Sequence, residues 1–359
     1  MGLLIMSSVR QAALALQLAA LCHAASAGAQ PAAPASAELR HRTLRETASA
    51  VARTVPELEH VWPGFWPPGR AFAIAAPGNA VLLYTPGVPP DGFQPLSGVL
   101  APSHEHGQTY LHEGDVPGLS ASQGMMDLDY PVPGASAIAV AVGDSLAPTL
   151  EFLFHEAFHA FQTQAFAQGA VPEISLAGEA VSNPVQTAYW EVERRILREA
   201  LATETEDGVR QLLRSYVAVR GRRSGSLPED VAQYEARLER VEGSAEWVGR
   251  TATLHALERD PAELAELLRT DLQKPLRIPR FASGAQWVIR MRVYNTGAAL
   301  ATLLERLAPE WRQALQDGDD FLALAKAEAG ADAWSNSTLA DAALARWDHA
   351  AILQQVVQP

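Results

Sequence analysis

The sequence has little cysteine, no long apolar run in its main body and no excess of basic residues. Its 359 residues include one cysteine, Cys22, which excludes disulfides within the chain and a cysteine-rich zinc site. Beyond the first residues no stretch reaches about 18 uninterrupted apolar residues, so we expect no membrane span. The formal net charge of −13 argues against nucleic acid as a partner, because phosphates need a basic surface.

The first 29 residues have the pattern of a secretory signal peptide. Arg10 is their only formal charge, residues 11–22 are rich in Ala and Leu, and small residues at 27–29 precede a cleavage point. We therefore expect an exported protein, periplasmic or extracellular. Cleavage removes Cys22 together with Arg10 and takes the formal charge from −13 to −14. Residues 30–37 are rich in Pro, Ala and Ser and predict a disordered linker.

The pattern of the mature chain predicts an α+β fold that is mostly α. Residues 38–145 are expected to form an N-terminal α+β subdomain. It begins with a helix and has a hairpin of strands 71–76 and 80–85 around Pro77, Gly78 and Asn79. The run ASAIAVAV at 135–142 predicts either a substrate-side edge strand or an ordinary core strand. Residues 146–359 predict a helical subdomain, and the chain shows no internal repeat.

The segment EFLFHEAFHAFQ, residues 151–162, contains the pattern H-E-x-x-H. His155 and His159 are four residues apart, so one helix face can aim both imidazoles at a single metal ion. Glu156 follows the first histidine and is placed to accept a proton from a water molecule. Phe154, Phe158 and further apolar positions give the same helix a core-facing stripe. The pattern predicts a zinc site; a chance match and a degenerate, inactive site are the alternatives.

A catalytic zinc ion needs three protein ligands and one open position, so a carboxylate must join the two histidines. Glu179 lies in AGEAVSN and Glu242 in VEGSAEW. Glu242 borders an apolar stripe at helical spacing, where a carboxylate is costly unless it is protonated or paired. Both glutamates are candidates.

Three segments together resemble exported bacterial proteins of the gluzincin, or peptidase-MA, type: HEAFHAFQ, EGSAEWVG and YNTGAALATLLERLAPEW. The resemblance covers about residues 137–312 and implies a zincin-like helical domain around an H-E-x-x-H active-site helix. It implies Glu242 as the third Zn²⁺ ligand and Tyr294 as the group that hydrogen-bonds the oxyanion. Between His159 and Glu242 this chain has a longer segment than compact gluzincins have. Glu179 keeps the shorter spacing.

The expected function is zinc-dependent hydrolysis of peptide bonds in a peptide or protein substrate, with zinc-activated water and Glu156 as general base. The alternatives are a catalytically inactive zincin-fold binding protein and a zinc hydrolase of a non-peptide substrate. Tyr294 has a second interpretation, as the cap of the following helix.

Other charged residues are expected to be solvated. They are Glu191, Glu193, Glu246, Arg220, Arg222 and Arg223, and the loop group His104, Glu105, His106, His112 and Glu113. For the glutamates the alternative is to accept a hydrogen bond from the second ring nitrogen of a ligand histidine. For the arginines the alternative is an anchor for a substrate carboxylate. For the loop group it is a second metal site.

Overall fold

The computed structural model describes residues 37–67, 69–76, 80–96, 107–114, 116, 126–128, 137–141, 145–167, 183–274 and 285–357. The predicted signal peptide, the linker apart from Ala37, and Glu179 lie outside these residues. Within them, no helix combines the length and the apolar character that crossing a membrane requires.

The chain divides into two compact units. The first consists of the described residues of Met1–Thr163 together with Val248–Pro261, and the second of Gln164–Trp247 and Ala262–Pro359. The predicted boundary after residue 145 differs from this division, because the H-E-x-x-H helix groups with the elements that precede it. Aromatic packing, described below, is the physical reason.

The first unit is built from two N-terminal helices, a small sheet and the H-E-x-x-H helix. In chain order its elements are α1 (Ala37–Thr54), a 3₁₀ turn (Val55–Glu57), α2 (Leu58–Val61), β1 (Ala71–Ala76), β2 (Ala80–Thr85), β3 (Gln94–Pro95), β4 (Gln108–Glu113), β5 (Met126–Leu128), β6 (Ala137–Ala141) and α3 (Leu146–Ala165). The predicted α1 and the predicted hairpin are confirmed, and β1 pairs with β2 antiparallel.

The described strands form one six-stranded sheet in the order β3-β4-β2-β1-β6-β5. Strand β1 is parallel to β6, and the remaining pairs are antiparallel. Every residue of β1 and β2 is buried, so both faces of the sheet centre are covered. Alanine, valine, leucine and aromatic side chains make this possible, because a strand covered on both faces needs no polar side.

The strand predicted at 135–142 exists as β6, and of its two interpretations the edge strand is wrong. It lies between β1 and β5 and is hydrogen-bonded to both. Its Ile138 and Val140 are buried. Of the two interpretations, the ordinary core strand is the one that the sheet order supports.

The second unit is helical, as predicted. In chain order its elements are α4 (Pro184–Ala202), α5 (Glu206–Ser224), α6 (Glu229–Leu238), a π-helical segment (Glu239–Gly243), the start of α7 (Ser244–Ala256), α8 (Glu263–Gln273), α9 (Ala285–Leu307), α10 (Trp311–Asp317), α11 (Phe321–Ala329), a 3₁₀ turn (Ala333–Ser335), α12 (Ser337–Arg346) and α13 (His349–Val357). From Val248 onward α7 belongs to the first unit. Asn183 caps α4, Thr205 caps α5, and each side chain accepts a hydrogen bond from a backbone N–H.

The solvated role expected for Arg220, Arg223 and Glu193 is wrong. The residues Arg220 and Arg223 are 2% and 1% exposed, and Glu193 is fully buried. Arg223 Nε lies 2.6 Å from Glu193 Oε1, and its two terminal nitrogens donate to Glu235 at 2.7 and 2.9 Å. Helix α5 continues through Gly221 to Ser224, and Arg223 on its last turn contacts carboxylates of α4 and α6.

A solvated role is also predicted for three further residues, Arg222, Glu191 and Glu246. Arg222 is half-buried and pairs with Asp341 at 2.9 Å. Glu191 is also half-buried and pairs with Arg194 and Arg195 on its own helix. Glu246 is buried, so a solvated role is wrong for it as well. Burial of one helix face against its neighbours was not visible in the charge pattern alone.

Candidate metal centre

Helix α3 is fixed to the segment between α2 and β1 by aromatic side chains. Phe154 and Phe158 are fully buried. The Phe158 ring lies 4.8 Å from the Trp62 ring, and the Phe154 ring lies 5.7 Å from the Trp66 ring, both edge to face. The predicted apolar stripe is therefore confirmed at these two positions. It fixes the rotation of α3, and with it the direction of the adjacent histidine face.

His155 and His159 meet on the neighbouring face of α3. Their Nε2 atoms are 3.0 Å apart, and their rings are almost perpendicular. Two nitrogen atoms that bind one tetrahedral zinc ion lie about 3.3 Å from each other. The two atoms are thus already close to the separation that one shared ion requires.

Gln162 sets the orientation of the second imidazole. Its Oε1 lies 2.7 Å from Nδ1 of His159, one turn further along α3. With the amide oxygen as acceptor, Nδ1 carries the proton and donates it, which leaves Nε2 of neutral His159 as an acceptor. Metal-binding histidines are held by such a contact at the other ring nitrogen.

Helix α7 approaches α3 closely at Gly249. A Cβ atom on Gly249 would lie 2.8 Å from the Glu151 carbonyl oxygen and 3.2 Å from Cβ of His155. Real side chains do not tolerate the first distance, so glycine is required for this contact. Arg250 adds an ion pair to Glu151, with Nε 3.5 Å from Oε1. The close contact fixes the start of the histidine turn.

Glu242, seven residues before Gly249, lies in the π-helical segment. Its side chain is buried, and its Oε1 accepts a hydrogen bond from Nη1 of Arg290 at 2.6 Å. Burial alone lowers the pKa of Arg290 and is the largest single influence, but the charges of Glu242 and two tyrosines outweigh it and raise that pKa. A positive charge at this distance favours the ionised form of a carboxylate, which is the form that a metal ligand needs.

One ligand atom from each of His155, His159 and Glu242 lies within 4.8 Å of the others. Two imidazole nitrogens and one carboxylate oxygen are the donor set of a His₂Glu catalytic zinc site, which leaves a fourth position open. All three side chains are buried, as is Glu156 at 1% exposure. Of the four, only Glu156 contributes no atom to the group. The donor types and the histidine spacing fit a zinc ion.

Tyr294 lies on α9, one turn after Arg290, and is buried. Its hydroxyl is among the groups that raise the Arg290 pKa. Glu242, Arg290 and Tyr294 therefore belong to one cluster. Position 294 falls inside α9, which begins at Ala285, so the interpretation of Tyr294 as a cap at the start of a helix is wrong.

The structure says less about the other candidates. Glu179, His104, Glu105 and His106 lie outside the described residues. His112 is described, in β4, where its ring packs 5.2 Å from the Phe93 ring and against Gly92.

Sequence reasoning missed Gln162, Arg290 and Gly249. The spacing of Gln162, three residues after His159 on a helix, was a usable signal, because residues at i and i+3 are neighbours. The other two act through residues distant in the chain, and spacing carries no information about them.

Comparisons with protein-family models, with characterised proteins and with solved structures gave no match to this chain. The resemblance to gluzincins therefore stays a prediction.

Proposed function

We propose that this protein is a zinc-dependent hydrolase that cleaves peptide bonds. His155, His159 and Glu242 are the proposed ligands, and Glu156 is the proposed general base. The observation that carries the proposal is the pair of Nε2 atoms 3.0 Å apart on α3, with Glu242 as the third member of the group. Export to the periplasm or the outside of the cell, from the pattern of residues 1–29, belongs to the same proposal.

Zinc supplies two effects when bound: it lowers the pKa of a water molecule and polarises a substrate carbonyl. The residues of the chain supply the rest. Glu156 accepts a proton from the attacking water on its carboxylate and transfers it to the leaving amine. Gln162 holds the proton of His159 on Nδ1, and Arg290 keeps Glu242 ionised.

Tyr294 is the proposed donor to the oxyanion that forms when water attacks. Replacing it by Phe removes the hydroxyl and keeps the ring. We expect the turnover number to fall at least about tenfold, which corresponds to roughly 1.4 kcal/mol or more of lost stabilisation. Steady-state kinetics of the zinc-loaded variant measure this; wild-type turnover would contradict the role.

The proposal is tested on the exported, mature protein. Metal analysis after dialysis should find one zinc per chain, and a peptide library should be cleaved by the zinc-loaded form and left intact after chelation. The matched variant His159→Gln should lose both properties. A folded wild-type protein that retains no zinc would overturn the proposal.

The burial of His155, Glu156 and Glu242 favours a second candidate, a zinc-binding protein without catalytic activity. In that case zinc would stabilise the fold without activating water, as it does in structural sites whose coordination positions are all filled by the protein. The two functions differ in one result: the second predicts zinc retention and stability loss on chelation, with no cleavage of any library peptide. A zinc hydrolase of a non-peptide substrate would likewise leave the library intact, and cleavage of ester substrates by the zinc-loaded protein would distinguish it.

A further inference from the structure

We propose that helix α9 positions Glu242 by holding the π-helical segment at two points, Thr296 and Gly297. The inference rests on the proposed function, because it assigns these two residues a task at the same metal site. Neither residue is a proposed ligand. Both would act through the backbone and side chains of the segment Glu239–Gly243.

The first contact is a close approach of two glycines. A Cβ atom on Gly297 would lie 2.6 Å from Cα of Gly243 and 2.9 Å from the carbonyl oxygen of Glu239. A Cβ on Gly243 would in turn lie 2.5 Å from Cα of Gly297. The backbones therefore touch, and no side chain fits between them. Gly243 directly follows Glu242, so this contact fixes the chain immediately beyond the proposed ligand.

The second contact fixes the segment before Glu242. The hydroxyl of Thr296 donates to Oε1 of Glu239 at 2.5 Å, and Nη2 of Arg220 donates to Oε2 of the same carboxylate at 3.3 Å. Glu239 is fully buried and begins the π-helical segment. Its carboxylate joins the segment to α9 and α5 together. Glu242 is thus held on both sides in sequence, and Arg290, also on α9, holds its side chain.

The π-helical geometry explains why these contacts affect the position of Glu242. A π turn accommodates one residue more than an α turn, so relaxing it to an α-helix rotates one flank by about 100° relative to the other. Such a rotation would move the Glu242 carboxylate away from its present direction. π segments are rare and short, and they need local contacts to persist. Thr296 and Gly297 are those contacts here.

The principal test is Gly297→Ala in the mature, full-length protein. The added methyl group must separate α9 from the π segment, so we expect zinc affinity to fall at least about tenfold, as for loss of other supporting residues around a metal. Gly221→Ala is the matched control. Gly221 lies in α5, and the nearest atoms to a Cβ on it belong to Trp334, whose carbonyl oxygen would lie 2.3 Å away, and not to the π segment. Both variants should lower the melting temperature, and only Gly297→Ala should lower zinc affinity.

A milder variant keeps the inference testable if Gly297→Ala does not fold. Thr296→Val retains the shape of the side chain and removes its donor to Glu239; zinc affinity should fall by about tenfold, while Thr302→Val, further along α9, leaves it unchanged. Visible spectra of the cobalt-loaded proteins supply a second readout. Their d–d bands should shift in Thr296→Val and stay as wild type in Thr302→Val.

The outcomes separate the inference from the proposed function. If the wild-type protein binds one zinc ion and Glu242→Ala lowers its zinc affinity, the proposed metal site is supported. Wild-type zinc affinity and cobalt spectra in folded Gly297→Ala and Thr296→Val would then overturn the positioning role alone. A wild-type protein that binds no zinc would overturn both.

Discussion

Two buried polar regions of this protein differ in how their charges are balanced. The ion network of the helical unit contains three carboxylates and three guanidinium groups: Glu193, Glu235, Glu239, Arg220, Arg223 and Arg292. The histidine face of α3 instead has two imidazole nitrogens 3.0 Å apart, which can share one proton but cannot both carry one. One region is complete in itself. The other has the donor types that a bound cation would need.

The contrast separates structural charge from functional charge. Buried ion pairs stabilise little by their presence and destabilise strongly when one partner is removed. In the network, Arg220 and Arg223 each pair with at least two carboxylates, so we interpret the network as a structural element of the helical unit. The histidines and Glu242 are the donor types that a zinc ion needs, so we interpret them as the site. The predictions below test this division, beginning with the largest effect.

Arg223→Ala should destabilise the protein most. It removes the closer of the two guanidinium groups that Glu193 and Glu235 contact and leaves them to Arg220 alone, so we expect the free energy of unfolding to fall by about 3–5 kcal/mol. Urea unfolding followed by circular dichroism measures it. Arg214→Ala is the control, because its partner Asp332 is exposed to solvent and the pair should contribute far less. Equal losses in the two variants would contradict the structural role of the network.

Glu242→Ala should act on metal binding instead of on the network. Zinc affinity should fall at least about tenfold, because a ligand is lost. Glu179→Ala, at the alternative candidate, should stay near wild type. Competition with a chromogenic chelator measures both. The reverse result would give the third ligand to Glu179 and leave Glu242 as the partner of Arg290.

Gln162→Leu tests whether the tautomer of His159 is set by its neighbour. Without the acceptor at Nδ1, neutral His159 can place its proton on Nε2, and zinc affinity should fall by about tenfold. Gln164→Leu changes an exposed glutamine on the same helix and should have no effect. Equal affinity in the two variants would show that the contact is incidental.

Glu239→Gln tests the network through pH. Burial raises the pKa of Glu239 from 4.5 to about 7, although Arg220 and Thr296 act in the opposite direction. Between these values the folded protein binds more protons than the unfolded chain, so this group makes stability fall as pH rises from about 4.5 to 7. Glutamine does not titrate in this range. The decrease in the free energy of unfolding between pH 4.5 and 7 should therefore be smaller in the variant by roughly 1–3 kcal/mol. Melting curves across the range check it; an unchanged slope would contradict the raised pKa.

Local patterns in the sequence predicted much of this structure. The hairpin 71–76 and 80–85, the helices of the second half and the buried stripe of Phe154 and Phe158 follow from periodicity and turn residues. The meeting of His155 and His159 follows from helix geometry. Each of these depends on residues close together in the chain.

Long-range packing decided the rest. Arg220 and Arg223 resemble a solvated run until α4 and α6 cover them with carboxylates. Strand β6 lies inside the sheet because β5 pairs with it, and no feature of its own residues indicates that. Gly243 and Gly297 are 54 positions apart in the numbering, yet their backbones touch.

The central claim is that the buried group on α3 activates water, and Glu156→Gln tests it most directly. The amide keeps the shape of the side chain and cannot accept a proton. We predict that the variant retains one zinc per chain with wild-type affinity and cleaves library peptides at least about a hundredfold more slowly than the wild-type protein. Wild-type turnover by the zinc-loaded variant would contradict the account.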